Sequence, residues 1–549
     1  MPRIPWWIFV LLAGLYFLSL RVDIMEVDAT QYAEISRQMA RTGSYLQVYQ
    51  YGMDYLDKPP FLFWVSSWSI SLFGATNLGY KLPSILFSLW ALFATYRLGR
   101  LLYNEATGRW AALILGVCQG MFLMTNDVRA DTILMSWVIT ALWAIKECEQ
   151  KRRWQYVLLG TMSIACGMMT KGPIALMVPL FCFGSDWVLH RKWKQLFSRY
   201  HLADALLIAV LLVPISIGLY QQFDLHPEKM VNGETGVSGL RFFYWSQSFG
   251  RITGESPWDN GAGFEFLYSS MLWAFLPWIV LFTIALIRNV RQLIVQRGHL
   301  KPGQEFVTTG GFVLAYVALG SSRYQLPHYI FVVFPLSAIM VAALLHELIA
   351  APQPSKLYKA MHMTQVFISG ALLAGALLLL TVVFPGNTAG IIFCCTGIVI
   401  WIALVRRKDL KGKLAWLSVW AMLVVNAVMT GHFYPSLLEY QGSSQAGRYI
   451  KQHHLPTDST GEYKMTRRLH AWHYYADGIM KMEDTLAHLN KMQYLFTNEA
   501  GKRDIDSSGL TYQVLKHGQM YDVSKLSLPF LNPGTRKETL NDYYLLKMR

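Results

Sequence analysis

Apolar runs of about 20 residues recur along this chain, and they limit its fold more than any other feature. In hydrocarbon every backbone amide and carbonyl must find a partner within the chain, so each run is read as a helix. In order, the runs fall at 5–20, 80–98, 110–126, 131–146, 155–170, 173–189, 202–220, 264–287, 305–320, 329–348, 362–384, 389–405 and 414–431. About 13 membrane crossings are therefore expected. Only 15% of the 549 residues are charged, against about 25% in soluble domains. The chain reads as a polytopic α-helical membrane protein, and soluble interpretations of its motifs lose their force.

Loop charge supplies an expected orientation. One set of loops carries Arg97, Arg100 and Arg109, then Lys146 and Lys151–Arg153, then Arg191, Lys192, Lys194 and Arg199. The set continues through Arg288 and Arg291, Lys356 and Lys359, and Arg406, Arg407, Lys408, Lys411 and Lys413. The short loops of the other side hold only Arg129, Lys171 and Arg323. The positive-inside rule puts the N-terminus in the cytoplasm, and an odd helix count puts the C-terminus outside. The outer loops are then 21–79 and 221–263. The net charge of +15 follows from loop topology, so no nucleic-acid partner is inferred. The six cysteines lie in apolar segments or a basic loop, without zinc-site spacing or a disulfide framework.

Beyond 431 the composition changes. Charges of both signs intermix, and Gln493–Thr497 and Tyr512–Leu515 read as short strands. The expected division is a membrane domain over 1–431 and a small extracytoplasmic α/β domain over 432–549. Phe61–Phe73, with two tryptophans in 13 residues, reads as an interfacial helix.

Chemistry concentrates in the first outer loop, which holds Glu26, Asp28, Glu34, Asp54, Asp57 and Lys58. Asp28-Ala29-Thr30-Gln31 has the spacing of a capping box, with Asp28 as N-cap of an amphipathic surface helix. A carboxylate there can also serve as a general base. Asp57-Lys58-Pro59-Pro60 reads either as a stiffened turn with a local ion pair or as a lysine that holds a phosphate. Arg129, Lys171 and Arg323 each have an ion-pair reading with carboxylates such as Asp131. Together, on one face, they suggest a phosphate site. Arg251, Glu255 and Asp259 lie in a glycine-rich loop suited to a lid. His328, at a helix start, reads as structural.

These residues carry a family resemblance. VDATQYAEISRQM followed by YLDKPPFLFW resembles the first outer loop of GT-C class membrane glycosyltransferases, in particular the lipid A aminoarabinose transferase and protein O-mannosyltransferase-like group. MMTKGPIALMVP and RYQLPHYIFVVFPL resemble later segments of the same group. The resemblance implies transfer of a sugar from a polyprenyl (undecaprenyl) phosphate carrier to an envelope acceptor at the outer face of a bacterial inner membrane. Lipid A or a related glycolipid is the first acceptor and a protein the second. An outward-facing transporter or flippase of an anionic lipid is the rival class. By position, Asp28 matches the catalytic aspartate, and Tyr55, Asp57 and Lys58 match the segment whose lysine holds the carrier phosphate. Arg251 and Tyr329 match residues near that phosphate, with Arg323, Lys171 and Arg129 as further cations. No cofactor is required; Asp57, supported by Asp131 and Glu255, is the candidate position for a divalent metal. The chain departs from the group at Ala29, Gln31 and Asp57, where Asp replaces the usual glutamate.

Overall fold

The computed structural model describes every residue except 232, 257, 408–411 and 466, so Lys408 and Lys411 lie outside it. The chain is mainly helical. Six helices are long and apolar enough to cross a membrane among the described residues. A seventh span results if Glu105–Val117 and Gln119–Asn126, bent by 54° at Cys118, count as one. The count falls below the number of apolar runs because several runs are shortened or broken. Ile174–Leu189 and Val307–Gly320 are apolar but have 16 and 14 residues. The run at 264–287 is split into Phe266–Ala274 and Ile279–Val295 around Leu276-Pro277, since proline cannot continue the backbone ladder. The run at 329–348 opens as the 3₁₀ turn Pro327–Val333 before Phe334–Ala350.

Exposure separates helices that face protein from those that present apolar surface outward. Pro327–Ala350 is largely enclosed, whereas Thr388–Arg406 exposes most of its apolar side chains. Phe61–Phe73 exposes Trp68, Leu72 and Phe73 while burying Leu62 and Phe63. That pattern fits a helix with one side in lipid.

The helix Asp28–Thr42 closes at Gly43, whose φ of 69° is the left-handed conformation that ends helices readily when no Cβ is present. It differs from the expected surface helix. Glu34 and Arg37 are buried with Tyr32, Ile35 and Met39, because Phe61–Phe73 covers one side and His470–Ala476 another. Burial of both charges is tolerated because Arg37 and Glu34 form a two-point pair at 2.6 and 2.8 Å.

The last part of the chain forms a five-stranded sheet in the order Lys481–Glu483, Thr460–Tyr463, Tyr494–Asn498, Asn541–Met548, Tyr512–Met520. The first two contacts are parallel and the last two antiparallel. Trp472 stacks on Phe496 at 4.9 Å to fill the space beside the sheet. This region reaches back to the first loop. Gln441 accepts from the Glu26 amide and donates to the Ile24 carbonyl, both at 2.9 Å. The Tyr475 hydroxyl accepts from the Ile24 amide at 2.9 Å, and the Ala471 amide donates to the Glu26 carboxylate at 2.7 Å.

Candidate active site

Two charged clusters flank the polar segment that follows the first helix. The first is a cavity of about 80 Å³ lined by Lys58, Asp131, Lys171, Gln247, Arg251 and Tyr329, among others. Lys58 arrives from the Pro-Pro turn, Lys171 from the end of Trp154–Lys171, and Arg251 from the short helix Phe249–Thr253. Three distant parts of the sequence thus supply three cations to one space.

The cations are held differently. Lys58 pairs with Asp57 at 2.7 Å, and Lys171 pairs with the buried Asp131 at 2.5 Å. Arg251 is buried, donates to the Tyr329 hydroxyl at 2.9 Å and lies over the rings of Tyr324 and Trp258 at 5.1 and 5.5 Å. Its Nε has no hydrogen-bond partner among the described residues. Tyr329 also carries the Lys171 ammonium over its ring at 3.9 Å. His328 packs beside Asp131 at 3.6 Å.

The local field is positive enough to shift an acid. Burial alone would raise the Asp57 carboxyl, but Lys58, then Arg251 and Lys171, together hold it below the ordinary carboxylate value. The loop is fixed from the other side by Gln247, which donates to the Asp57 carbonyl. Lys58 also faces a smaller cavity shared with Tyr55, Gln222 and Gln247.

The second cluster has the opposite balance. Arg129 donates to Asp28 through one terminal nitrogen and to Asp127 through Nε at 2.9 Å and the other terminal nitrogen at 2.7 Å. Two carboxylates thus share one guanidinium. Asp127 is pushed above its ordinary value by burial, against the pull of Arg129 and with a further push from Asp28. Tyr55 joins the clusters. Its buried hydroxyl is raised first by burial, then by the charges of Asp57 and Asp28, so both carboxylates act on it.

Several expectations change. Asp28 is the first helical residue and not the cap; Val27 occupies that position and no side chain caps it. The Asp28 carboxylate is taken by Arg129, which lies 101 residues away. Gln31 likewise does not close a capping box but donates to Gln50 at 3.0 Å. Arg129 is committed to carboxylates and does not line the cation-rich cavity, while Arg323 is exposed and also outside its lining. Arg323 instead packs on Gly254, where a Cβ would meet its guanidinium at 2.8 Å and where φ is +86°. Glu255 lies away from Asp57 and pairs with the exposed Arg241 at 3.3 Å.

The donor set does not fit a divalent metal. Asp57 gives one oxygen to Lys58 and keeps one buried oxygen without a partner. No group of three or more His, Cys, Asp or Glu is placed for a metal among the described residues, whereas hard cations take several oxygen ligands. Asp127 and Gln247 were not singled out in the sequence. The signal for Asp127 was present in NDVRAD, two positions before Arg129.

The arrangement of helices with a C-terminal sheet is similar in fold to solved structures of membrane glycosyltransferases. In sequence the chain resembles aminoarabinose transferases. Residues 57–217 match the family model for dolichyl-phosphate-mannose-protein mannosyltransferases. The undecaprenyl phosphate-α-4-amino-4-deoxy-L-arabinose arabinosyl transferase of Edwardsiella ictaluri is 27% identical over 334 residues, covering 59% of this chain and 56% of that protein. The same-named protein of Enterobacter sp. is 26% identical over 362 residues, 63% of this chain and 61% of that protein. The match therefore spans less than two thirds of these relatives. The crystal structure of ArnT from Cupriavidus metallidurans bound to undecaprenyl phosphate superposes with a TM-score of 0.71 at 17% identity, covering 98% of this chain and 97% of that one. Its apo state gives 0.68, covering 93% and 96%.

Proposed function

We propose that this protein is an inverting membrane glycosyltransferase that moves a sugar from undecaprenyl phosphate to lipid A or a related envelope glycolipid. The observation that carries the reading is the convergence of Lys58, Lys171 and Arg251 on one cavity beside Tyr329. A sugar leaving its carrier deposits negative charge on a phosphate. Cations already fixed around that position stabilise the developing charge without reorganising. Lys58 and Arg251 hold the carrier phosphate in this reading, and Tyr329 fixes the Arg251 fork.

Asp28 is the proposed base, with Arg129 as its positioning residue. Arg129, which Asp127 also holds, fixes the position of the Asp28 carboxylate. A phosphate acceptor is already nucleophilic and needs little base; a hydroxyl acceptor needs more. The sugar of the similar transferases is 4-amino-4-deoxy-L-arabinose, and a sugar of that class is the proposed donor group. The proposed placement is 13 crossings of a bacterial inner membrane, with a cytoplasmic N-terminus and the 432–549 domain in the periplasm.

The match to a protein mannosyltransferase family favours a protein acceptor as the second reading. Mass spectrometry of envelope lipids and glycoproteins from cells with and without the protein separates the two. A pentosamine mass on lipid A that depends on the protein is expected. The same mass on proteins alone would move the reading to the second acceptor, and no change in either would overturn the transferase.

A further inference from the structure

A third cavity, of about 420 Å³, lies where apolar helices meet the C-terminal region. Arg21 and Asp23 form one wall, at the end of the apolar helix Trp6–Arg21. Glu439 stands at its rim, one residue past the span Lys413–Leu438. Two apolar segments therefore end at this cavity, which sets it at the level of lipid headgroups. Arg448, on the helix Gly442–Gln452, and Lys516, on the strand Tyr512–Met520, face it from the C-terminal region.

Its lining carries three cations, Arg21, Arg448 and Lys516, against two carboxylates, Asp23 and Glu439. Arg448 is paired with Asp23 and lies over the Tyr475 ring at 4.5 Å. Arg21 and Lys516 form no ion pair among the described residues. Lys516 is half-buried, and burial followed by the charge of Arg448 lowers its ammonium below the ordinary value. Two neighbouring cations in a partly enclosed wall repel one another, and an anion seated between them reverses that cost. The cavity shares no lining residue with that of Lys58 and Arg251.

We propose that this cavity is a phosphate site for a lipid headgroup, held by Arg21, Arg448 and Lys516. The phosphate has two sources, an acceptor glycolipid or a bulk acidic phospholipid, and both present the same anion at the same depth. The inference does not depend on the transferase reading, because it concerns binding and not transfer.

The test uses the full chain in phosphatidylcholine nanodiscs, with native mass spectrometry reading added diphosphoryl lipid A, phosphatidylglycerol and undecaprenyl phosphate. Replacing both Arg21→Glu and Lys516→Glu is expected to weaken retention of at least one of the first two lipids about tenfold or more. Binding of undecaprenyl phosphate is expected to stay unchanged, which also reports that the fold survives. Selective loss of lipid A assigns the site to the acceptor; equal loss of both lipids assigns it to acidic phospholipid. The milder pair Arg21→Gln and Lys516→Gln should act in the same direction, and Arg21→Lys with Lys516→Arg should restore retention. Unchanged retention of both lipids in the charge-reversed and neutral variants would overturn the site. Intact headgroup binding in a protein that transfers no sugar would count against the transferase alone.

Discussion

The cavity of Lys58, Lys171 and Arg251 and the cluster of Asp28, Asp127 and Arg129 use the same residue types with opposite charge balance. In the first, two carboxylates face three cations, and Arg251 is left to a tyrosine hydroxyl. In the second, two carboxylates face one cation. The difference appears in the acids themselves. Asp57 is held below the ordinary carboxylate value and Asp127 is raised above it, although both are half-buried. Burial penalises both anions; the surrounding cations decide the sign. A site that must receive a phosphate and retain a base needs both balances, separated so that neither cancels the other.

The largest expected effect comes from removing the carboxylate that the second cluster positions. Asp28→Asn is expected to lower transfer about 10²–10⁴-fold, with undecaprenyl phosphate binding little changed. Full transfer by this variant would erase the functional distinction between the clusters. Arg251→Ala should act on the other side of the comparison. A lost charged hydrogen bond is worth about 1.5–3 kcal/mol, so carrier binding should weaken about 10–150-fold, measured on the lipid itself. Unchanged carrier affinity would remove Arg251 from the phosphate site.

The smallest effect concerns stability and pH. The lowered Asp57 contributes stability that is present above its unfolded value and disappears as pH falls through its folded one. The raised Asp127 does the reverse, because its folded state loses stability as pH rises from the unfolded value through the folded one. Thermal unfolding followed from pH 7 to pH 2 should therefore show Asp57→Asn losing less stability on acidification than the parent, with the difference appearing below about pH 4. Asp127→Asn should lose more, because it lacks the proton uptake that helps the parent at low pH. Each slope is bounded at about 1.4 kcal/mol per pH unit for one proton. Slopes of the same sign would mean that the clusters do not differ as described.

Much of the architecture could be read from the chain. Apolar runs became helices because hydrocarbon leaves the backbone no other partner. The strands near 494 and 512 appear close to where β-branched and aromatic residues suggested them. The breaks at Cys118 and Leu276-Pro277 were harder to see, since hydropathy measures a window and not backbone continuity. At the site, Asp57 and Lys58 are neighbours in sequence and remain partners in space. Asp28 was misread as a cap because the capping-box pattern is local, whereas its actual partner is distant. Arg129, Lys171 and Arg323 looked equivalent as lone cations in short loops. Only tertiary packing separates an arginine shared by two carboxylates, a cavity lysine and an exposed arginine resting on Gly254.

The hydrogen bonds from Ile24 and Glu26 to Gln441, Ala471 and Tyr475 have a consequence for biogenesis. The loop that bears Asp28 leaves the ribosome long before Gln441, which follows Glu26 by 415 residues. Until that late segment arrives, the loop lacks the partners that hold its backbone. A nascent chain can therefore insert the intervening helices while the proposed base is still unplaced, so the site is completed only after the segment around Gln441 has been made.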